Sequence, residues 1–216
     1  FGFGLASAFG EMDEAREDMV HFQIEARGVK DLRVLQAMRK VERHKFVPFN
    51  LRPFAYFDHP LPIGEDQTIS QPYIVALMTE LLAAGPNDRV LEIGTGSGYT
   101  AALISEIIGP KGRLYTLDII PELIKIAEKN LRKIKNIKIF CKDGSKGLKE
   151  FSPYDRIIVN AAAKEMPKKL VNQLKTKGIM IIPLCPEYHQ KIIKLTKEKN
   201  KIKEAYLGDF VFVPLR

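Results

Sequence analysis

Cysteine and histidine are scarce. Only Cys141 and Cys185 occur in 216 residues, and His21, His44, His59 and His189 are scattered without a shared motif. No close Cys or His pair has metal-ligand spacing, so no metal site is expected, and both thiols read as small core residues in a reducing compartment. No apolar run approaches the roughly 20 residues needed to cross a bilayer. The head FGFGLASAFG (1–10) lacks the basic flank of a signal peptide and reads as a loosely ordered end without a function of its own. A soluble, cytoplasmic protein is the expectation. Acidic side chains are outnumbered, 26 against 34 basic ones, for a formal charge of +8. Such a balance permits nucleic-acid binding. The lysines between Lys125 and Lys203, however, are interleaved with Glu and apolar positions, as on solvated faces, and no stable nucleic-acid complex is expected. Glutamine is sparse beside lysine and isoleucine, a balance that suits a heat-adapted source, because charged surfaces cost less to desolvate at high temperature.

What is present is enough for one sizeable core: 45% of the residues are hydrophobic. Apolar positions recur at three- and four-residue intervals from Glu11 to Arg27 and from Asp31 to Lys40, which predicts an N-terminal helical appendage over about 1–45. Residues 46–71, rich in proline and aromatics with neither helical nor strand period, read as a long ordered loop, and loops of that length are usually functional. From Pro72 onward a helix leads into alternating strands and helices. Strands are expected at 89–93, 113–117, 137–141, 156–159 and 178–184, with helices at 97–108, 121–133 and 167–174 between them. Two more strands, 191–196 and 209–215, joined around Glu198 to Lys201, close the edge as an antiparallel pair. The pattern defines a single domain of the α/β class, with a doubly wound, mostly parallel sheet over 72–216.

In such a sheet ligands bind at the carboxyl ends of the strands, beginning with the turn after the first strand. That turn reads Glu92-Ile93-Gly94-Thr95-Gly96-Ser97-Gly98, where glycines let the backbone turn sharply and approach a ligand. It suits a nucleotide-like ligand but does not choose one, since Gly96-x-Gly98-x-x-Ala101 also fits the looser dinucleotide fingerprint. Asp118, ending the second strand, suits a ribose diol in either case. Glu92, before the glycines, would repel a pyrophosphate and tolerate a sulfonium cofactor bearing an α-amino group. Asp143-Gly144, after the third strand, can accept from an adenine amine, although an Asp there also reads as a helix N-cap. These two acids favour S-adenosylmethionine.

The segments VLEIGTGSGY (90–99), LDIIPELIKIAEKNL (117–131), YDRIIVNAAA (154–163) and LKTKGIMIIPL (174–184) resemble the successive motifs of class I methyltransferases. The loop PLPIGEDQTISQPYIVALMTELL (60–82) is more particular and resembles the signature of the protein-L-isoaspartate O-methyltransferase family. The resemblance implies methyl transfer to the free carboxylate of L-isoaspartyl residues in damaged proteins and peptides, a repair that proceeds through a succinimide; a monomer is the expectation. It implies that Ser70 stands beside the methyl acceptor. Thr68, Ile69 and Val75, then Glu92, Gly94, Thr95, Gly96, Ser97 and Gly98, then Asp118 and Ile119, then Asp143 and Gly144 would surround the cofactor. Cys141-Lys142-Asp143-Gly144, Asp118 and Asn160 depart from the residues most usual there. A methyltransferase acting on nucleic acid or a small molecule is the alternative.

The chemistry asks little of the protein beyond alignment and exclusion of water. A carboxylate acceptor is already ionised at neutral pH, so no general base is required. A hydroxyl such as Ser70 can hold one carboxylate oxygen and leave the other free, unless it only caps the helix at Pro72. Phe54, Tyr56, Phe57, Tyr73 and Phe212 are candidate walls of a groove for a flexible substrate segment, and equally candidates for ordinary core.

Overall fold

The computed structural model describes residues 3–185, 190–199 and 201–215, with the backbone alone for residues 3–10 and Asp209. His189 and the first two residues of the head therefore lie outside the described residues. Helix α1 (Phe3–Asp18) starts well before the predicted Glu11, so the head is helical from its third residue. It continues into a wide π turn (Met19–Ile24) and a tight turn (Glu25–Arg27), and ends where Gly28 takes a φ of 98° that side chains other than glycine rarely adopt. Helix α2 (Leu32–Lys40) begins where the Asp31 carboxylate accepts from the Arg33 backbone N–H at 2.9 Å. It buries Val34, Leu35, Ala37 and Met38 on one face.

A 3-10 turn (Arg43–Phe46) ends the appendage, and the stretch expected to be plain loop contains a second (Phe49–Phe54) and a hairpin of β1 (Leu61–Gly64) and β2 (Gln67–Ile69). Leu61 pairs with Ile69 and Pro62 with Thr68, and Leu61, Ile63 and Ile69 are buried. The hairpin escapes sequence reading because its strands are too short to show alternation and its turn residues are Glu65 and Asp66. Both take the left-handed conformation (φ 52° and 53°) that Asn or Gly would advertise. Helix α3 (Pro72–Leu82) then starts on a proline, whose missing N–H costs nothing at a first helical position.

The main sheet has seven strands: β3 (Arg89–Ile93), β4 (Arg113–Asp118), β5 (Ile137–Cys141), β6 (Tyr154–Val159), β7 (Leu174–Leu184), β8 (Lys191–Lys197) and β9 (Ile202–Asp209). Their order is β5-β4-β3-β6-β7-β8-β9, parallel through β7, with β8 and β9 antiparallel at the edge. Helices α4 (Tyr99–Ile108), α5 (Pro121–Leu131) and α6 (Lys168–Gln173) make the crossovers. One apolar cluster joins Met19, Val20 and Ile24 of the appendage to Val34 and Leu35 of α2 and Tyr99, Leu103 and Ile104 of α4, so the appendage shares the core of the sheet. A second cluster, with Leu91, Ile157, Leu170 and Met180, fills the other face.

Three expectations need correction. The last strand is 202–209 rather than 209–215; charged residues hide its alternation. The run FVFVPL instead crosses the end of β6, where Ala162 N–H donates to Val213 O and Leu215 N–H to Ala162 O, both at 2.8 Å. Strand β7 begins at Leu174, earlier than predicted. Cys141 is not a core residue but ends edge strand β5 exposed, while Cys185 is half-buried against the apolar core. Among the described residues no helix is long and apolar enough to cross a membrane.

Candidate functional site

After β5 the chain returns across the sheet to place β6 on the far side of β3, so the crossovers diverge at the carboxyl ends of β3 and β6. A crevice opens there, between the glycine loop, the ends of β4 and β6, the hairpin and the tail. Its floor is the glycine loop. Gly94 and Thr95 both donate their N–H to Leu117 O, at 2.8 and 3.2 Å, which pins the loop to the end of β4. Gly96 has a φ of 53°, and a Cβ there would come within 3.2 Å of Ile63 Cδ1. Glycine thus lets the hairpin close over the loop. At Gly144 a Cβ would fall 2.3 Å from Ile93 Cγ2, so only glycine brings the turn after β5 so close to β3.

Asp118 is fixed by the backbone. Its Oδ2 accepts from Gly96 N–H at 2.9 Å and its Oδ1 from Ile120 N–H at 3.1 Å. Each oxygen keeps a lone pair, so the carboxylate can still accept two hydroxyls. Ile119 beside it is 45% exposed, an apolar surface at the lip of the crevice. The other lip is formed by strand β2 of the hairpin and the residue after it, with Gln67, Thr68, Ile69 and Ser70; a third wall comes from Val213, Pro214 and Leu215.

Of the residues expected from the sequence, Thr68, Ile69, Ser70, Gly94, Thr95, Gly96, Ser97, Asp118, Ile119 and Gly144 line this crevice together. Four stand outside the lining. Val75 is buried in α3, where its carbonyl accepts from Thr79. Gly98 packs beneath Leu131, which a Cβ would meet at 2.9 Å. Asp143 caps the turn Gly144–Lys146, accepting from Ser145 N–H at 2.9 Å, with Lys146 Nζ at 3.1 Å. The Ser145 hydrogen bond and the Lys146 charge hold its carboxyl below the usual carboxylate range. Glu92 lies fully buried behind the wall, where burial pushes its pKa up to about 8.

Among the lining residues the sequence reading missed are Ile63 and Gln67 of the hairpin, Ala161, Val213 to Leu215, and apolar neighbours of the called residues such as Ile93, Leu117 and Ile120; it noted Asn160 only as a departure. Asn160 and Ala161 directly follow β6 and could have been found from the switch-point rule; the tail gives no local signal. The aromatic candidates do not line the crevice. Tyr56 and Phe212 are buried, Tyr56 with its hydroxyl 2.7 Å from His44 Nδ1. Phe54 and Phe57 are exposed and pack edge to face at 6.0 Å. Arg27 lies over the Tyr73 ring at 3.5 Å and pairs with Asp58 at 2.5 Å.

A doubly wound sheet with an antiparallel edge, whose switch-point crevice sets a glycine loop against an acid ending the next strand, suits a nucleoside-bearing cofactor, and the likenesses that follow make the chain a class I, S-adenosylmethionine-dependent methyltransferase. Residues 14–216 match the family described as Protein-L-isoaspartate(D-aspartate) O-methyltransferase (PCMT). The chain belongs to that family. It is 48% identical over 202 residues to the protein-L-isoaspartate O-methyltransferase of Methanoculleus marisnigri, covering 93% of this chain and 90% of the relative. With the enzyme of the same name from Fervidobacterium nodosum it shares 49% identity over 186 residues, 85% of this chain and 94% of that one. A solved structure named protein-L-isoaspartate O-methyltransferase superposes with a TM-score of 0.82 at 30% identity, over 92% of this chain and 65% of that one. A Plasmodium falciparum structure, described as of the same kind and in complex with S-adenosyl-L-homocysteine, superposes with a TM-score of 0.83 at 28% identity, over 93% and 98%.

Proposed function

We propose that the chain transfers a methyl group from S-adenosylmethionine to the free carboxylate of L-isoaspartyl residues in damaged proteins and peptides, the ester then closing to a succinimide that partly reopens as aspartate. The observation behind this reading is the placement of Ser70 and Asp118 among the residues of one crevice in a chain of this family. When bound, S-adenosylmethionine supplies an electrophilic methyl group on a sulfonium.

The residues present fit that group. Asp118 has acceptor capacity left for a ribose diol, Ile119 offers an apolar face for a base, and the glycines of the loop and Gly144 allow close backbone approach. Asp143, engaged by Ser145 and Lys146, we assign first to capping its turn. Ser70 donates its hydroxyl to one oxygen of the substrate carboxylate and leaves the other to react. The acceptor is already an anion, so no residue has to remove a proton. Ile63 and Ile69 of the hairpin and Val213 and Pro214 of the tail help keep water from the crevice.

We assign this activity to a single catalytic domain that acts as a monomer in the cytoplasm without a nucleic-acid partner. The appendage shares the core of the sheet. Some basic side chains are paired locally, as Lys175 is with Asp155 and Lys203 with Glu198, both at 2.6 Å.

The test is transfer of labelled methyl from S-adenosylmethionine to a peptide containing L-isoaspartate, beside the same peptide with aspartate. Base-labile label in the first alone is the expected result; label in neither would direct the search to nucleic acids and small molecules. Ser70→Ala should lower kcat by about 100-fold, the scale of one lost positioning contact, while S-adenosylhomocysteine affinity stays within about twofold. Unchanged turnover would remove Ser70 from this role.

A further inference from the structure

The tail reaches the crevice as a strap anchored at Gln190 and at Ala162. The chain leaves β9 at Gly208, whose φ of 63° lies in the left-handed region and where a Cβ would fall 2.9 Å from the Phe210 ring. Phe210 N–H then donates to Gln190 O at 2.9 Å. After Val211, which is 94% exposed, the Gln190 side chain holds Phe212 twice. Phe212 N–H donates to Oε1 at 2.5 Å, and Phe212 O accepts from Nε2 at 3.1 Å. The Ala162 backbone takes the next two residues that can bond, Val213 and Leu215, and with Pro214 these form the third wall of the crevice.

A carboxamide sets an acceptor and a donor side by side, as the edge of a peptide group does. Gln190 therefore gives Phe212 the pair of bonds that a neighbouring antiparallel strand would give. The Phe212 ring is buried in the same apolar cluster as Ile181 of β7 and Ile192 of β8, so the strap turns about a fixed point just before the wall begins. Neither Gln190 nor Phe212 is among the residues that line the crevice. The side chain that fixes the wall thus stands outside the site that the wall encloses.

We propose that Gln190 is a positioning residue that latches the tail across the crevice and so sets how tightly the cofactor is held. The inference rests on the cofactor reading above and adds to it a control point that touches no ligand. With the latch made, Val213 to Leu215 stand against the end of β6 and close the crevice from the side opposite Asp118. With the latch broken, Phe212 N–H and O turn to water, the strap leaves its register, and a ligand must reorder the tail before the wall can meet it. Apparent affinity then falls by the fraction of molecules whose tail is in place. Lys191, next along β8, and Asp209, opposite Lys191 in β9, are the charged positions nearest Gln190 in the register.

The experiment compares S-adenosylhomocysteine affinity of the whole wild-type protein and of Q190E at pH 8 and at pH 4.5. The variant keeps the shape of the side chain, but its ionised carboxylate offers two acceptors and sets one against Phe212 O. At pH 8 it should bind about tenfold more weakly than wild type, the scale of one or two net hydrogen bonds. Protonation restores one donor beside one acceptor, so at pH 4.5, close to the ordinary carboxyl pKa, the ratio of the two affinities should narrow to about threefold. Dividing by the wild type at the same pH cancels titration elsewhere in the protein. A side chain that only steadied the sheet edge would lower Tm and leave this ratio independent of pH. Equal affinities at pH 8, or a ratio that pH does not change, would overturn the proposal. Should Q190E fail to fold, hydrogen exchange of the wild type decides. Ligand should slow the Phe212 amide more than the amides of β9, because binding and latching favour each other reciprocally, and equal slowing refutes the latch. Absence of any S-adenosylhomocysteine binding to folded wild type would bring down the cofactor reading itself, and this inference with it.

Discussion

Glu92 bears on the stability of the protein without ligand. Its folded-state pKa, about 8, lies above the ordinary 4.5. Its contribution to stability is therefore complete below pH 4.5 and is lost as pH rises through 8, because the unfolded chain ionises the group freely and the folded chain resists. The ligand-free protein should lose a few kcal/mol between pH 5 and 8 from this group, an upper figure that relaxation of the site reduces. Thermal melts of wild type and E92Q across that range check it: the variant should show the shallower decline, and parallel curves would contradict the assignment. Part of the crevice lining was legible residue by residue because its chemistry is local. Gly94, Gly96 and Asp118 announce a turn and an acceptor within their own segments. Whether a residue faces the ligand or stands behind the wall was not legible. Glu92 is sealed by packing from β4 and β6, and Val75 and Gly98 are covered by their neighbours, which no single segment specifies.

At the scale of elements, the parallel strands were readable because burial on both faces makes them continuous apolar runs between turn signals. The hairpin was not. Its Glu65 and Asp66 hold a left-handed turn that Asn followed by Gly adopts more readily, so the changes Glu65→Asn and Asp66→Gly together should stabilise the protein by about 1 kcal/mol. A rise of a few degrees in Tm would confirm it, and a fall would mean that the acidic tip makes contacts beyond its turn. The long first helix was read with its start too late and its widened end as ordinary helix, since Met19, Val20 and Ile24 are apolar there as in an amphipathic helix. Asp31 is a simpler case: its cap of α2 is local, and Asp31→Ala should cost about 1 kcal/mol in denaturant unfolding.

Across the whole molecule, the crevice draws its walls from places far apart in the chain. The hairpin lies near residue 65, the glycine loop near 95, the turn after β5 near 144, the end of β6 near 160, and the tail near 214. Fold class could be inferred from the order of elements, but the tail's position depends on where β8 and β9 leave the chain. The sequence run FVFVPL looked like one more strand for that reason. Ending the chain after Phe210 should leave the far-ultraviolet spectrum nearly unchanged while weakening S-adenosylhomocysteine binding at least tenfold, the loss of roughly 1.4 kcal/mol of contact. Unaltered affinity would make the tail a bystander. The arrangement also has a timing. A ribosome makes the tail after every other wall, so a nascent chain can assemble its parallel sheet well before it can hold a cofactor. The enzyme should therefore hold its cofactor only weakly on the ribosome and reach full affinity once the tail has left the exit tunnel.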